Sequence, residues 1–175
     1  MDTSPASPTL TIGRNRWATL LVGLLTLTLG AAVAAWYATH PAPLTTGEAH
    51  VTAVTSVGQP VYVGVWTLAA DSGRRLDVAG VKVTTEATTP VEVEPLLCRG
   101  GSVGVTSDPS AFCTSVTAPA GETMEPGDSV VLRIVGADAG AAFTERVRVS
   151  YREGLRAATQ PAGTRVVTAV VPGTS

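Results

Sequence analysis

Histidine, cysteine, methionine and phenylalanine occur only twice each in this chain, and the charged residues are few, 15% of the total. These shortages exclude most chemistry. The two histidines, His40 and His50, lie close behind an apolar segment, ahead of the rest of the chain. A hydrolase triad needs a nucleophile, a base and an orienting group, so histidine-dependent catalysis would require one of them to fold back. A zinc centre needs three or four ligands, and a copper site favours clustered methionine and histidine. Met1 and Met124 are far apart, and Cys98 and Cys113 with one histidine make a poor ligand set. No metal or other cofactor is expected.

Positive charge is scarce too. Lys82 is the sole lysine among 12 basic residues, and the net charge is −2. Charges of both signs are interspersed, with no basic stripe to neutralise phosphates, so nucleic acid is not an expected partner. The preference for arginine, with much alanine and glycine, fits a GC-rich coding genome.

The strongest positive signal is "NRWATLLVGLLTLTLGAAVAAWYATHP". From Trp17 to Ala38 no residue is charged, a run of about 22 where about 20 span a bilayer. Trp17 stands at one end and Trp36 and Tyr37 at the other, as aromatic rings do at the two interfaces. Arg14 and Arg16 precede the run, and no lysine or arginine follows until Arg74. The positive-inside rule then places the N-terminus in the cytoplasm and the C-terminal part outside. The rival reading is a signal peptide cleaved after Ala34, at Ala32-Val33-Ala34, which would release a secreted domain. The length of the run and its aromatic end favour an uncleaved anchor.

The expected organisation is a short disordered cytoplasmic tail over 1–16, a transmembrane helix over 17–38, an extracytoplasmic stalk over 39–50, a β domain over 51–172 and a tail over 173–175. The stalk reading rests on "THPAPLTTGEA", whose prolines and small polar residues suit an extended spacer. Beyond it, short alternating segments are separated by turn signals. In "VYVGVWTL", Val61, Val63 and Val65 fall on one face and Tyr62, Trp66 and Leu68 on the other. Gly80 shifts the phase of "LDVAGVKVTTE", which suggests a bulge. "PVEVEPLLC" puts Val91 and Val93 inward and Glu92 and Glu94 outward. "SVVLRIV" sets Val130, Leu132 and Ile134 against Arg133. "TERVRVSY" sets Val147, Val149 and Tyr151 against Arg146, Arg148 and Ser150. Seven or eight strands in about 125 residues, with no sustained helical period, predict an all-β antiparallel sandwich with one solvated face per sheet.

"EPGDSVVLRIV", "ERVRVSYREGLR" and the final valine-rich strand resemble the C-terminal half of an immunoglobulin-like or fibronectin-type sandwich. The layout as a whole resembles small single-pass, surface-displayed proteins of actinobacteria. Two features depart from the antibody pattern: the cysteines are too close to form an inter-sheet bridge, and Trp66 precedes both. The resemblance implies a fold and a location, and it carries over no functional residues.

"CRGGSVGVTSDPSAFC" holds both cysteines. It lacks the lysine of a phosphate loop and the close spacing of a redox pair. In an oxidising compartment two lone cysteines pair, so a Cys98–Cys113 disulfide is expected, with a contribution of about 3 kcal/mol. Phe112 in this loop is a candidate partner contact, as are Arg146 and Arg148, part of a basic cluster with Arg152 and Arg156. The function expected is non-enzymatic: a membrane-anchored interaction or scaffolding domain that meets another envelope protein. The alternative is an accessory solute-, metal- or glycan-binding module of an envelope or transport complex.

Overall fold

The computed structural model describes residues 16–173. It divides into two units, an N-terminal helix and a β domain beginning at Thr39. The helix α1 spans Arg16–Thr39. It is apolar around its whole circumference, and its hydroxyls are turned back on its own backbone. Thr26 Oγ1 donates to the carbonyls of Val22 (3.1 Å) and Gly23 (2.9 Å), and Thr28 Oγ1 to those of Leu24 (3.0 Å) and Leu25 (2.9 Å). Such back-bonding leaves little polar surface on the helix.

The β domain has twelve strands: β1 (Thr46–Ser56), β2 (Val61–Thr67), β3 (Leu76–Lys82), β4 (Thr85–Ala87), β5 (Val91–Arg99), β6 (Val105–Thr106), β7 (Ser115–Thr117), β8 (Thr123–Met124), β9 (Ser129–Gly136), β10 (Gly140–Thr144), β11 (Val147–Glu153) and β12 (Arg156–Val171). Eight have five or more residues, matching the seven or eight expected. The other four are β4 and the short β6, β7 and β8. A smaller sheet runs β6-β2-β9-β5-β7. The larger sheet pairs β4 with β10, β10 and β11 with β12, β11 with β3, and β3 with β8. These pairs are antiparallel, whereas β1 joins β12 in parallel. The registers Gly140↔Val170 to Thr144↔Val166 and Val147↔Ala162 to Glu153↔Arg156 make β10 and β11 consecutive halves of one run along β12.

The core lies between the sheets. Val63, Leu76, Leu97, Met124, Leu132, Ile134, Val147, Val149 and Val166 are fully buried there. The inward valines of β9 and β11 are those that the alternation picks out, and Val91 and Val93 of β5 pack against the same core. The phase shift at Gly80 is a bulge: Ser150 faces Gly80 while Tyr151 faces Val78, leaving Ala79 unpaired.

Three expectations need correction. The first concerns β2. Its register slips between Gly64 and Trp66, so Val65 is an extra residue and the side-chain phase flips there. Val61, Val63, Val65, Trp66 and Leu68 therefore all turn into the core instead of dividing between two faces. The bulge meets a bend in β12, where Gly163 holds φ 73° against the Val65 carbonyl. A Cβ at Gly163 would collide with that oxygen.

The second is the stalk over 39–50. Most of it belongs to the sandwich, because β1 starts at Thr46 and Pro41 and Leu44 are buried. Leu44 N–H donates to Gln160 Oε1 (2.9 Å), and Trp66 Nε1 donates to Thr45 Oγ1 (3.0 Å).

The third is the solvated outer face of the smaller sheet, part of which is covered. Val131 of β9 faces away from the main core, yet it is fully buried beneath Cys98, Cys113 and Val103, with Tyr62 and Val116 at the margin. The chain between β5 and β9 folds back over this face and closes a second, small core.

Candidate interaction surface

Cys98 and Cys113 are joined, with their sulfurs 2.07 Å apart, and both are buried. Cys98 ends the inner part of β5. Cys113 precedes β7, which pairs with β5 through Cys98↔Val116. From this staple the loop crosses the sheet to the far edge. There β6 pairs with β2, and Gly64 N–H donates to Gly104 O (2.9 Å). Gly64 has no Cβ because the Val103 carbonyl lies where one would be. The same excursion supplies β7 on the β5 edge and β8 on the β3 edge, which blunts three sheet edges. Phe112 stands out from it at 55% exposure.

The excursion is fastened at its base by a polar cluster that pattern reading misses. Asp128, nearly buried, accepts from Arg99 Nη1 (2.9 Å), Gly100 N–H (2.7 Å) and Glu125 N–H (2.9 Å). Arg99 also donates to the Thr123 carbonyl and to Glu122. Burial works against the charge on Arg99, but its bonds to Asp128 and Glu122 outweigh that and raise its pKa. Ser129 Oγ donates to Gly101 O (2.8 Å). The "EPGD" turn was the available signal, since an aspartate closing a Pro-Gly turn often caps nearby backbone amides.

A second cluster holds the start of the domain. Arg74 grips Glu153 through Nε and Nη2, each at 2.9 Å, and Nη2 also donates to Ala42 O (3.2 Å). Tyr151 O–H lies 3.4 Å from Ala42 O and 3.3 Å from Gln160 Oε1. The bond to Glu153 raises the Arg74 pKa, and burial pushes Tyr151 above its ordinary value.

The three candidate contact residues do not converge. Phe112 belongs to the loop over the smaller sheet. Arg148 belongs to β11 of the larger sheet and Arg146 to the link between β10 and β11, and they differ from each other. Arg146 is spent on β1, donating to Gly47 O (2.9 Å) and pairing with Glu48 (3.0 Å). Arg148 is exposed opposite Lys82 and Pro161, with no ion pair among the described residues. The acids beside this cluster in the sequence serve elsewhere: Glu145 binds Arg165 and Glu153 binds Arg74. Glu92 and Glu94 share a face as expected and flank Arg133 at 3.8 and 3.5 Å. Among the described residues no three His, Cys, Asp or Glu side chains gather in a metal-binding group.

Sequence pattern also misses an apolar surface on the outside of the larger sheet. Phe143 lies across from Val167, and Val167 from Thr52. Ala169 lies between Ala141 and Val54, and Val54 is 59% exposed. A shallow hollow of about 360 Å³ there is lined by Glu86, Ala87, Thr88, Ala141, Phe143 and Val167, among others.

Of the expected membrane-interface residues, Arg14 lies outside the described residues. Arg16 opens α1, and Tyr37 lies in it. Trp17 and Trp36, both exposed, bound the 20-residue stretch that is long and apolar enough to cross a membrane. That helix fits an anchor or a signal peptide, and a disulfide fits an extracytoplasmic domain. Compared with protein-family models, curated proteins and solved structures, the chain matches none.

Proposed function

We propose that this protein is a membrane-anchored, extracytoplasmic interaction domain that docks another envelope protein without catalysing a reaction. The observation that carries the reading is the apolar outer face of the larger sheet, where Val54, Phe143, Val167 and Ala169 are neighbours. An apolar face with an exposed member, Val54, on a rigid sandwich supports a docking role. The helix from Trp17 to Trp36, flanked by tryptophans and preceded by arginines, supports an uncleaved anchor with the N-terminus inside.

The sandwich is of the immunoglobulin type on this reading, and its connectivity supports that. Strands β2, β9 and β5 stand as the B, E and D strands of such a fold. The β3/β4, β10/β11 and β12 runs stand as C, F and G, and β1 has moved from the B strand to pair with G. The strong preference for arginine over lysine supports a source with a GC-rich genome, such as an actinobacterium.

The test is photocrosslinking in intact cells, with a photoreactive residue at Val54 in one strain and at Phe112 in another. A discrete protein adduct from position 54, abolished by Ala169→Arg with unchanged thermal stability, supports the reading. Adducts from position 112 alone would move the contact to the stapled loop. Absence of protein adducts from both positions would overturn the docking role.

A further inference from the structure

The turn between β11 and β12 carries a leucine that the fold does not use. Glu153 pairs with Arg156, so Gly154 and Leu155 form a two-residue hairpin turn. Gly154 has φ 60°, and no non-glycine residue among the described residues has positive φ, so this is the kind of turn that needs glycine first. The second position ordinarily takes a small polar residue. Leu155 is neither, and it is fully exposed. Arg152 and Arg156 flank it, both exposed. Arg152 stands in register with Asp77 of β3, whose carboxylate accepts from Thr123 Oγ1, and Glu153 is held by Arg74.

The same end of the sandwich fixes the first residues of the domain. Ala42 O accepts from Arg74 and Tyr151, and Leu44 N–H donates to Gln160, which faces Val149 of β11 in register. Only His40 and Pro41 separate Ala42 from Thr39, the last helical residue. Even fully extended, so few residues reach no more than about 10 Å. If α1 spans a bilayer, the chain must leave the lipid within that reach of Ala42, which is bonded to Tyr151 of β11, four residues before Leu155.

We propose that the β11–β12 tip rests on the lipid surface, with Leu155 entering the boundary between headgroups and acyl chains and Arg152 and Arg156 at the level of the lipid phosphates. Arginine suits that level because its stem packs on apolar surface while its guanidinium binds phosphate. The inference rests on the anchor reading. It also leaves the opposite end and the outer sheet faces open to a protein partner.

The experiment uses the full chain in vesicles of phosphatidylglycerol and phosphatidylcholine, with the disulfide intact. An environment-sensitive fluorophore is attached at Leu155→Cys, or at Asp138→Cys in the β9–β10 turn at the opposite end. The expected result is blue-shifted emission from position 155, quenched by lipids spin-labelled near the headgroup, with position 138 unshifted and unquenched. Arg152→Gln together with Arg156→Gln should reduce the shift at 155. A chain that floats with the vesicles but shows no shift at 155, or equal quenching at 138, overturns the inference and leaves the anchor standing. A chain that does not float with the vesicles overturns both.

Discussion

Replacing both Cys98 and Cys113 with alanine should cost about 4.5 kcal/mol. Opening a loop of this length removes about 3 kcal/mol by chain entropy. Releasing the loop also uncovers Val131, which is fully buried under Cys98, Cys113 and Val103. Exposing a valine costs about 1.5 kcal/mol. The fastenings at Asp128 and Ser129 lie at the loop's base and should persist. For a domain of this size the sum corresponds to a fall in Tm of about 14–18 °C, read by circular dichroism of the full chain in detergent. Hydrogen exchange should locate the loss. The Gly64 amide, bonded to Gly104 O, should lose protection well before the amides of β11. Reduction of the wild-type disulfide should reproduce both effects. A Tm within about 3 °C of wild type would mean that the loop stays down without its staple. The covering role assigned to the disulfide would then be refuted.

Gly163→Ala should destabilise far more than Gly154→Ala, although both glycines have positive φ. Each carries a left-handed strain of about 1–2 kcal/mol. At Gly163 alone the new methyl also meets the Val65 carbonyl, adding about 1–3 kcal/mol; equal Tm losses would refute the interlock of β2 with β12. Asp128→Asn should cost about 2–3 kcal/mol in urea unfolding, because Arg99 loses its most buried acceptor. A cost near zero would show that the cluster is incidental. Burial raises the Tyr151 pKa despite the opposing pull of Arg74, so its neutral form is favoured in the folded state. That contribution is fully present below about pH 10 and is lost as pH rises through the folded pKa. Tyr151→Phe should therefore flatten the alkaline fall of stability in denaturation at stepped pH, and an unchanged profile would contradict the assignment.

The legible parts of the sequence are those whose structure is set by near neighbours. Alternation alone assigns the inward residues of β5, β9 and β11, and a lone glycine marks the bulge beside Ala79. The unread parts depend on distant partners. Proline and threonine after Thr39 look like a spacer, and only Gln160, 116 positions beyond Leu44, converts them into packed chain. Strand β2 reads as two-faced because period 2 assumes unbroken pairing, and the slip at Val65 is enforced by β12 on the opposite sheet. Arg146 looks like a free basic residue until β1 returns beside it. Position on a strand face is local information, whereas availability for a partner depends on the rest of the fold.

The run Val130-Val131-Leu132 shows how such distant information can leave a local trace. A strand with one wet face alternates, so three consecutive apolar residues require cover on both faces. One cover is the main core, reached by Val130 and Leu132. The other had to come from elsewhere in the chain, and the nearest segment without an assigned place was the glycine-rich stretch between the cysteines. One of its glycines has a packing reason, since at Gly101 the Phe112 carbonyl leaves no room for a side chain, and Gly64 of β2 leaves room for the Val103 carbonyl of the same stretch. A segment that covers a sheet face, blunts the β2 edge through β6 and is stapled at both ends is rigid. Such a segment is poorly suited to reshape itself around a ligand. On that argument the proposed contacts belong less to the cysteine loop than to exposed apolar residues elsewhere, Val54 on the larger sheet and Leu155 at the hairpin tip.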